Sequence, residues 1–274
     1  MKRVSVLALL AFVGAAILTP TVASAQQANI PVPDWIQSLR LPNGGGKAML
    51  SPTGWGAAYQ TVFAGFGIQN PTPFADEADG GIGFGIGLWD PVLFVGIQVV
   101  GSMVDVSEMG EFTVGVKVHR YLGYGTSIAV GAETIYETLE GEGPAGYGGD
   151  PDPSFYGVIS HTLQNVDGAT PGSGRVHFSI GIGDGRFADM PLRTVEVLGK
   201  EDATWVFGNV AVELVKNLNV IGEWDGTGLN GGVAYTMPIG PAVGAVTLGV
   251  ADILEYSTDQ PRLIFGGGLA FTLF

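Results

Sequence analysis

Residues 206–237 read VFGNVAVELVKNLNVIGEWDGTGLNGGVAYTM, and the way they alternate decides the fold. Val206, Gly208, Val210, Val212 and Leu214 alternate with Phe207, Asn209, Ala211 and Glu213. Leu218, Val220, Gly222 and Trp224 then alternate with Asn219, Ile221, Glu223 and Asp225, and Leu229, Gly231, Val233 and Tyr235 with Asn230, Gly232, Ala234 and Thr236. Successive side chains of a strand point to opposite faces, so each run has one mostly apolar face and one polar or small face. Paired residues share a face, and this fixes the turns. A two-residue turn at Lys216–Asn217 would set Val210 opposite Glu223 and mix the faces. A three-residue turn, Val215–Lys216–Asn217, pairs Leu214 with Leu218, Val212 with Val220 and Val210 with Gly222, with Asn217 left-handed. A Gly226–Thr227 turn then pairs Trp224 with Leu229 and Val220 with Val233. The stretch specifies a three-stranded antiparallel meander.

Outward from it, the chain begins like a secretory signal over residues 1–25: Lys2 and Arg3, an apolar run from Val4 to Leu18, and the small-residue site Ala23–Ser24–Ala25. A retained membrane anchor is the alternative, but the apolar run is short and stops at Pro20. Residues 26–50, with Pro31, Pro33, Pro42 and Gly44–Gly46, predict an extended periplasmic leader, and residues 51–274 the folded unit. The absence of cysteine argues against a small disulfide-stapled exported domain. With 26 Asp+Glu against 12 Lys+Arg, the chain has nothing to neutralise phosphates, which excludes a nucleic-acid partner.

From Trp55 onward twelve strand-like runs follow, at about 55–69, 79–88, 92–104, 112–120, 125–135, 154–163, 174–183, 204–214, 218–225, 228–237, 243–254 and 262–274. Their length matches the ~9–11 residues of a tilted transmembrane strand. Connections after odd-numbered runs are mostly long and those after even-numbered runs mostly short, the pattern of a bacterial outer-membrane barrel. Most of the 26 acidic residues fall in the long loops. A soluble sandwich or lipocalin-like barrel would show a charged outer face. Here the second face is Gly, Ala, Ser and Asn, suited to a lumen. The expected fold is therefore all-β: a closed, up-and-down antiparallel transmembrane barrel of about twelve strands in the outer membrane of a Gram-negative envelope. Its partners would be outer-membrane lipid and lipopolysaccharide, with the barrel-insertion machinery during assembly. Divalent cations could bridge the acidic loops to lipid phosphates.

Several motifs carry a resemblance. S-P-T-G-W-G at 51–56, G-L-W-D-P at 87–91, I-G-I-G-D-G-R-F at 180–187 and the 208–235 meander resemble a largely uncharacterised family of exported barrel proteins frequent in cyanobacteria. The likeness spans most of 51–274. It implies the fold and the location, and supplies no activity or site residue. The Glu223-x-Asp225-Gly226 hairpin also resembles exopolysaccharide-associated outer-membrane barrels. One feature departs from outer-membrane barrels in general. Counting back by twos from Phe274 meets Thr272, Ala270, Gly268 and Gly266, while Leu269, Phe271 and Phe265 fall on the other face. Either a bulge at Gly266–Gly268 shifts the register or Phe274 lies at the interface.

Chemistry is sparse. His177–Phe178–Ser179 has the His-x-Ser spacing of outer-membrane phospholipases, but Ile180–Gly181 replaces the following Asn-Gly, and both polar side chains turn into the lumen. Ser160 and His161 are adjacent and point apart, so they cannot form a nucleophile–base pair directly. His119 beside Arg120 reads as an interface residue. Asp76–Gly80 lacks the spaced oxygen ligands of a calcium loop. No catalytic or metal-binding residue and no cofactor is assigned. Glu213, Glu223 and Lys117 are the lumen charges, and the register sets Asn209 and Asn230 beside Glu223 in a polar row with amides donating to the carboxylate. Gly83, Gly85, Gly87, Gly115, Gly131, Gly181 and Gly232 are expected to leave room. The first functional reading is a passive, cation-preferring, porin-like channel for small solutes, with Glu223, Asn209, Asn230, Glu213 and Lys117 as lining. The second is a structural or envelope-assembly barrel closed by residues 26–49 or the 136–153 loop. The third is an outer-membrane enzyme.

Overall fold

The computed structural model describes residues 47–71, 78–103, 112–123, 125–137, 153–163, 176–190, 194–195, 198–199 and 203–273. The signal, most of the leader, the Asp76–Glu77 motif, the 138–152 loop and Phe274 lie outside them. The strands are β1 (Thr61–Asn70), β2 (Asp79–Leu88), β3 (Gly96–Met103), β4 (Phe112–Gly123), β5 (Thr126–Glu137), β6 (Ser154–Leu163), β7 (Val176–Gly183), β8 (Val206–Val215), β9 (Leu218–Trp224), β10 (Leu229–Ile239), β11 (Ala242–Ala251) and β12 (Arg262–Thr272). Each pairs antiparallel with its neighbours in sequence, and β1 pairs with β12, so the twelve strands form a closed up-and-down barrel. Closure leaves no unpaired edge, as an element surrounded by lipid requires.

The meander has the register the alternation demands. Asn209 faces Glu223, Val212 faces Val220, and Val210 faces Gly222. Glu223 faces Asn230, Trp224 faces Leu229, and Val220 faces Val233. One pair differs: Val215, not Leu214, lies opposite Leu218, so the turn is the two-residue Lys216–Asn217 and not the expected three-residue one, and a shift between Glu213 and Val215 keeps the faces apart. The cause is local. The Glu213 carboxylate accepts the Asn217 N–H at 2.6 Å, which draws the strand end inward and lets the ladder slip by one residue. Asn217 takes the left-handed conformation, φ 69°.

The outer face is apolar from strand to strand: Ile82 and Phe84, Phe178 and Ile180, Val210, Val220, Val233 and Leu248 are all exposed. Phe265, Leu269 and Phe271 belong to the same face. The ladders of β12 with β1 and β11 run without a shift, which rules out the first of the two alternatives, a bulge at Gly266–Gly268. With a continuous ladder, Thr272, Ala270, Gly268 and Gly266 simply face the lumen. Among the described residues no helix is long and apolar enough to cross a membrane; a barrel crosses with strands. Because Val210 is 50% exposed on this belt, Val210→Arg is expected to cost about 2–4 kcal/mol near mid-membrane, measured by denaturant unfolding in lipid vesicles.

The inner face is not simply hydrated. Tyr156, Phe187 and Phe207, the first from β6 and the last from β8, are buried together with Ala129 and Val158. Phe187 stacks on Phe207 with centroids 4.5 Å apart, and Tyr156 meets Phe207 edge-on at 6.3 Å. This cluster occupies the space that Gly131 and Gly181 were expected to leave. A Cβ at Gly131 would lie 2.4 Å from the Tyr156 ring, and one at Gly181 would lie 2.3 Å from Phe207. Those positions are small to seat aromatics, so an added side chain there would overpack.

Candidate functional site

The first predicted strand loses its beginning. Residues 55–60 do not join β1; Gln60, at φ 60°, turns the chain instead. Gln60 donates to the Gly87 carbonyl and accepts from Leu273 N–H, tying this corner to β2 and the C-terminal end of β12. Residues 47–58 run as a strap inside the barrel, and its hydrogen bonds go to lumen side chains from many strands.

Ala57 N–H donates to Gln98 Oε1 at 2.8 Å, and the Ala57 carbonyl lies 3.2 Å from His119 Nε2. Lys117 Nζ donates to the Trp55 carbonyl at 3.1 Å, and Trp55 packs on Tyr121 with centroids 5.3 Å apart. Gly54 is held from both sides: its N–H donates to Ser160 Oγ at 2.7 Å and its carbonyl accepts from Ser127 Oγ at 2.6 Å. A Cβ on Gly54 would sit 2.4 Å from the Ser127 carbonyl, so only glycine approaches the wall this closely.

The apex of the strap meets Glu223. Its two carboxylate oxygens accept Leu50 N–H at 2.8 Å and Met49 N–H at 2.9 Å. Arg186 Nη2 donates to the Leu50 carbonyl at 3.0 Å while its Nε bonds Glu133 at 2.5 Å, and its guanidinium lies 4.2 Å from the Phe187 ring centroid. Burial opposes the Arg186 charge, but the Glu133 carboxylate, with Asp225 and Glu223 beyond it, raises its pKa above the ordinary value. Met49 lies against Ala211, Ile221 and Ala234, and its sulfur fills the clearance at Gly232 and Gly249. Backbone N–H and C=O groups of the strap have no sheet partner, so a buried carboxylate accepts from its N–H groups and a guanidinium donates to its carbonyl.

Asn209, Glu223 and Asn230 form the polar row set by the register, and all three are buried. Their bonding differs from expectation. Asn230 Nδ2 donates to Asp225 Oδ2 at 2.8 Å and its Oδ1 accepts Asp252 N–H at 2.9 Å, while the Asn209 amide atoms have no hydrogen-bond partner. The strap has taken the acceptor that the amides were to share. Glu213 caps the β8–β9 turn, and Lys117 holds the strap. His119 is a correction: it is 2% exposed, turned inward against Gly56 and Gly96, and not at an interface.

The hydroxyl and imidazole groups do not assemble a nucleophile. Ser160 Oγ pairs with Ser179 Oγ at 2.7 Å, and His177 Nδ1 with Thr162 Oγ1 at 3.1 Å. His161 points the other way, packed on Phe178. Among the described residues no group of His, Asp and Glu is arranged to hold a metal ion. Sequence reading missed the strap, Arg186 and Asp225. Gly54 and Gly56 in the S-P-T-G-W-G motif carry no signal that could have shown it, since β2 has the same spacing at Gly83, Gly85 and Gly87.

The strap and the aromatic cluster fill the lumen along β4–β10, and the strap also reaches Gly87 on β2, Gln98 on β3 and Gly249 on β11. Along β1, β2, β3, β11 and β12 a cavity of about 780 Å³ remains, bounded on the strap side by Met49 and Leu50. Its wall runs on β1 from Phe63 to Gln69 and on β12 from Ala270 to Ile264, most of the height of the barrel.

No family model matches the chain, and no curated protein does. The resemblance to the cyanobacterial barrels therefore rests on its motifs. Among solved structures, a KdgM porin in complex with disordered oligogalacturonate is similar at a TM-score of 0.46 and 10% identity, covering 78% of this chain and 99% of that one. LpxR from Salmonella typhimurium gives 0.44 and 10%, over 77% and 100%. The Acinetobacter baumannii outer membrane protein Omp33 gives 0.41 and 12%, over 80% and 100%.

Proposed function

We propose that the protein is an outer-membrane, porin-like channel for small solutes, narrowed by its own strap. The observation that carries this reading is the cavity of about 780 Å³ that follows β1 alongside the strap. The apolar outer belt supports insertion in lipid, with lipopolysaccharide and lipid against it. Twelve strands lie between the ~8 that side chains fill and the ~16–18 that leave an aqueous channel, so the lining decides the bore. Here the strap narrows it. A cation preference set by Glu223 belongs to the barrel without the strap, because its oxygens are taken by Met49 and Leu50 N–H while the strap is seated.

A second reading, a structural or envelope-assembly barrel with a closed lumen, draws support from the same hydrogen bonds of the strap. An enzyme finds no support in Ser160, Ser179 and His177, which bond hydroxyl to hydroxyl and imidazole to threonine. Planar-bilayer recording of the purified protein separates the readings. Small, discrete conductance steps are expected; a fully inserted protein without conductance would favour the closed barrel.

A further inference from the structure

The inward charges of the described lumen are placed unevenly. Lys117, Glu133 and Arg186 engage the strap or each other, Glu223 receives the strap backbone, Glu213 caps its turn, Asp225 and Asp252 bond their own loops, and Arg262 holds Gln69. Among the described residues, no ionisable side chain lines the cavity on the opposite side; the nearest charge is Arg262, at its long-loop end. Its inward apolar surface comes from Phe63, Val100, Val243 and Ile264, and its few hydrogen-bonding groups are Gln69, Ser102 and Thr247. Gln69 is itself steered by Arg262, whose Nη1 donates to its Oε1 at 3.1 Å near the long-loop end.

Resting on the channel reading above, we infer that this side of the lumen is a passage for uncharged molecules that carry an apolar face, and that it excludes ions of the same size. Beyond Gln69 and the Arg262 guanidinium that holds it, an ion leaves its hydration shell and meets no opposite charge among the described side chains, which is costly. A neutral molecule loses little water, covers exposed Phe, Val and Ile surface, and finds a hydroxyl or amide for one polar group. The bare backbone of Gly65, Gly67 and Gly83 keeps the wall flat enough for a ring to lie against it.

Gly67 offers the test. A Cβ there meets nothing within 4 Å, so a side chain enters open lumen without displacing a neighbour. Gly222, equally unobstructed, sits on the exposed outer face of β9 and serves as the control. The probes are a phenyl glucoside and a phenyl glucuronide, which differ by one carboxylate, in swelling of vesicles containing the full barrel. The glucoside is expected to enter about tenfold faster or more, given the desolvation of the carboxylate. Gly67→Phe should slow it several-fold, and Gly222→Phe should leave it unchanged. Equal entry of the two probes overturns the neutral class while the channel stands. Entry unaffected by Gly67→Phe overturns the location. Entry of neither, with the barrel inserted, overturns the channel reading as well.

Discussion

Excision of residues 47–58 is expected to raise the conductance of the barrel several-fold and to make it prefer cations. The strap packs against Lys117 and Glu223 beside the Tyr156–Phe187–Phe207 cluster, and its removal opens the space it occupies to water. Lys47 leaves with it. Glu223, no longer covered by Met49 and Leu50 N–H, and Glu213, low on β8, then face the passage with Lys117 as the opposing charge. A fixed carboxylate in a narrow passage acts on permeating ions more strongly than a loop carboxylate, which salt screens. The barrel itself should persist, since its twelve ladders do not include the strap. Reversal potentials under a salt gradient read the preference, and Glu223→Gln in the excised barrel should weaken it. Unchanged conductance after excision, with strand content retained, would show that the strap is not what narrows the lumen.

The parts legible in the sequence are those governed by a period of two. From Val206 to Tyr235 strict alternation gives faces, and faces give register, so Asn209, Glu223 and Asn230 fall in one row as derived. Where a side chain bonds its own backbone the period cannot warn of it. Glu213 reaching Asn217 N–H moves the end of the ladder by one residue. The lumen contents were not legible for a different reason. Leu50 meets a carboxylate 173 positions away, and no local pattern encodes such a contact. Trp55 to Gln60 even alternates like a strand, and only the left-handed Gln60 separates it from β1.

Glycine was the most ambiguous letter. A small inward residue leaves a void or receives a neighbour, and the sequence does not say which. Gly87 takes the carbonyls of Ala57 and Ala58, Gly85 takes Phe63, Gly131 takes Tyr156, and Gly232 takes the Met49 sulfur. Gly67 alone of these inward positions faces open space. The aromatics inside follow the same logic: Phe207 and Tyr156 lie on the inward parity of β8 and β6, where alternation assigns a face but not a partner.

Glu223→Ala is expected to loosen the strap without unfolding the barrel. The carboxylate is 2% exposed and accepts two backbone N–H groups at 2.8 and 2.9 Å. Hydrogen bonds to a charged group contribute about 1.5–3 kcal/mol each, and an N–H deprived of its acceptor inside the barrel costs a similar amount unless water replaces the carboxylate. Water can enter from the adjoining cavity, so the lower end of the range applies, about 3 kcal/mol for the pair. At 1.4 kcal/mol per decade this shifts the balance between seated and released strap by about 100-fold. Arg186 still holds the Leu50 carbonyl and Ser160 and Ser127 still hold Gly54, so release is not complete. Glu223→Gln retains one acceptor and should show roughly half the effect in free energy. The ladder around position 223 is made by backbone groups, so the fold does not depend on the carboxylate. Single-channel recordings at fixed voltage measure the fraction of time spent at the higher conductance, and limited proteolysis of residues 47–58 measures release independently. An alanine variant that opens no more often than the parent, and whose strap is cut no faster, would show that Glu223 is not the anchor of the strap.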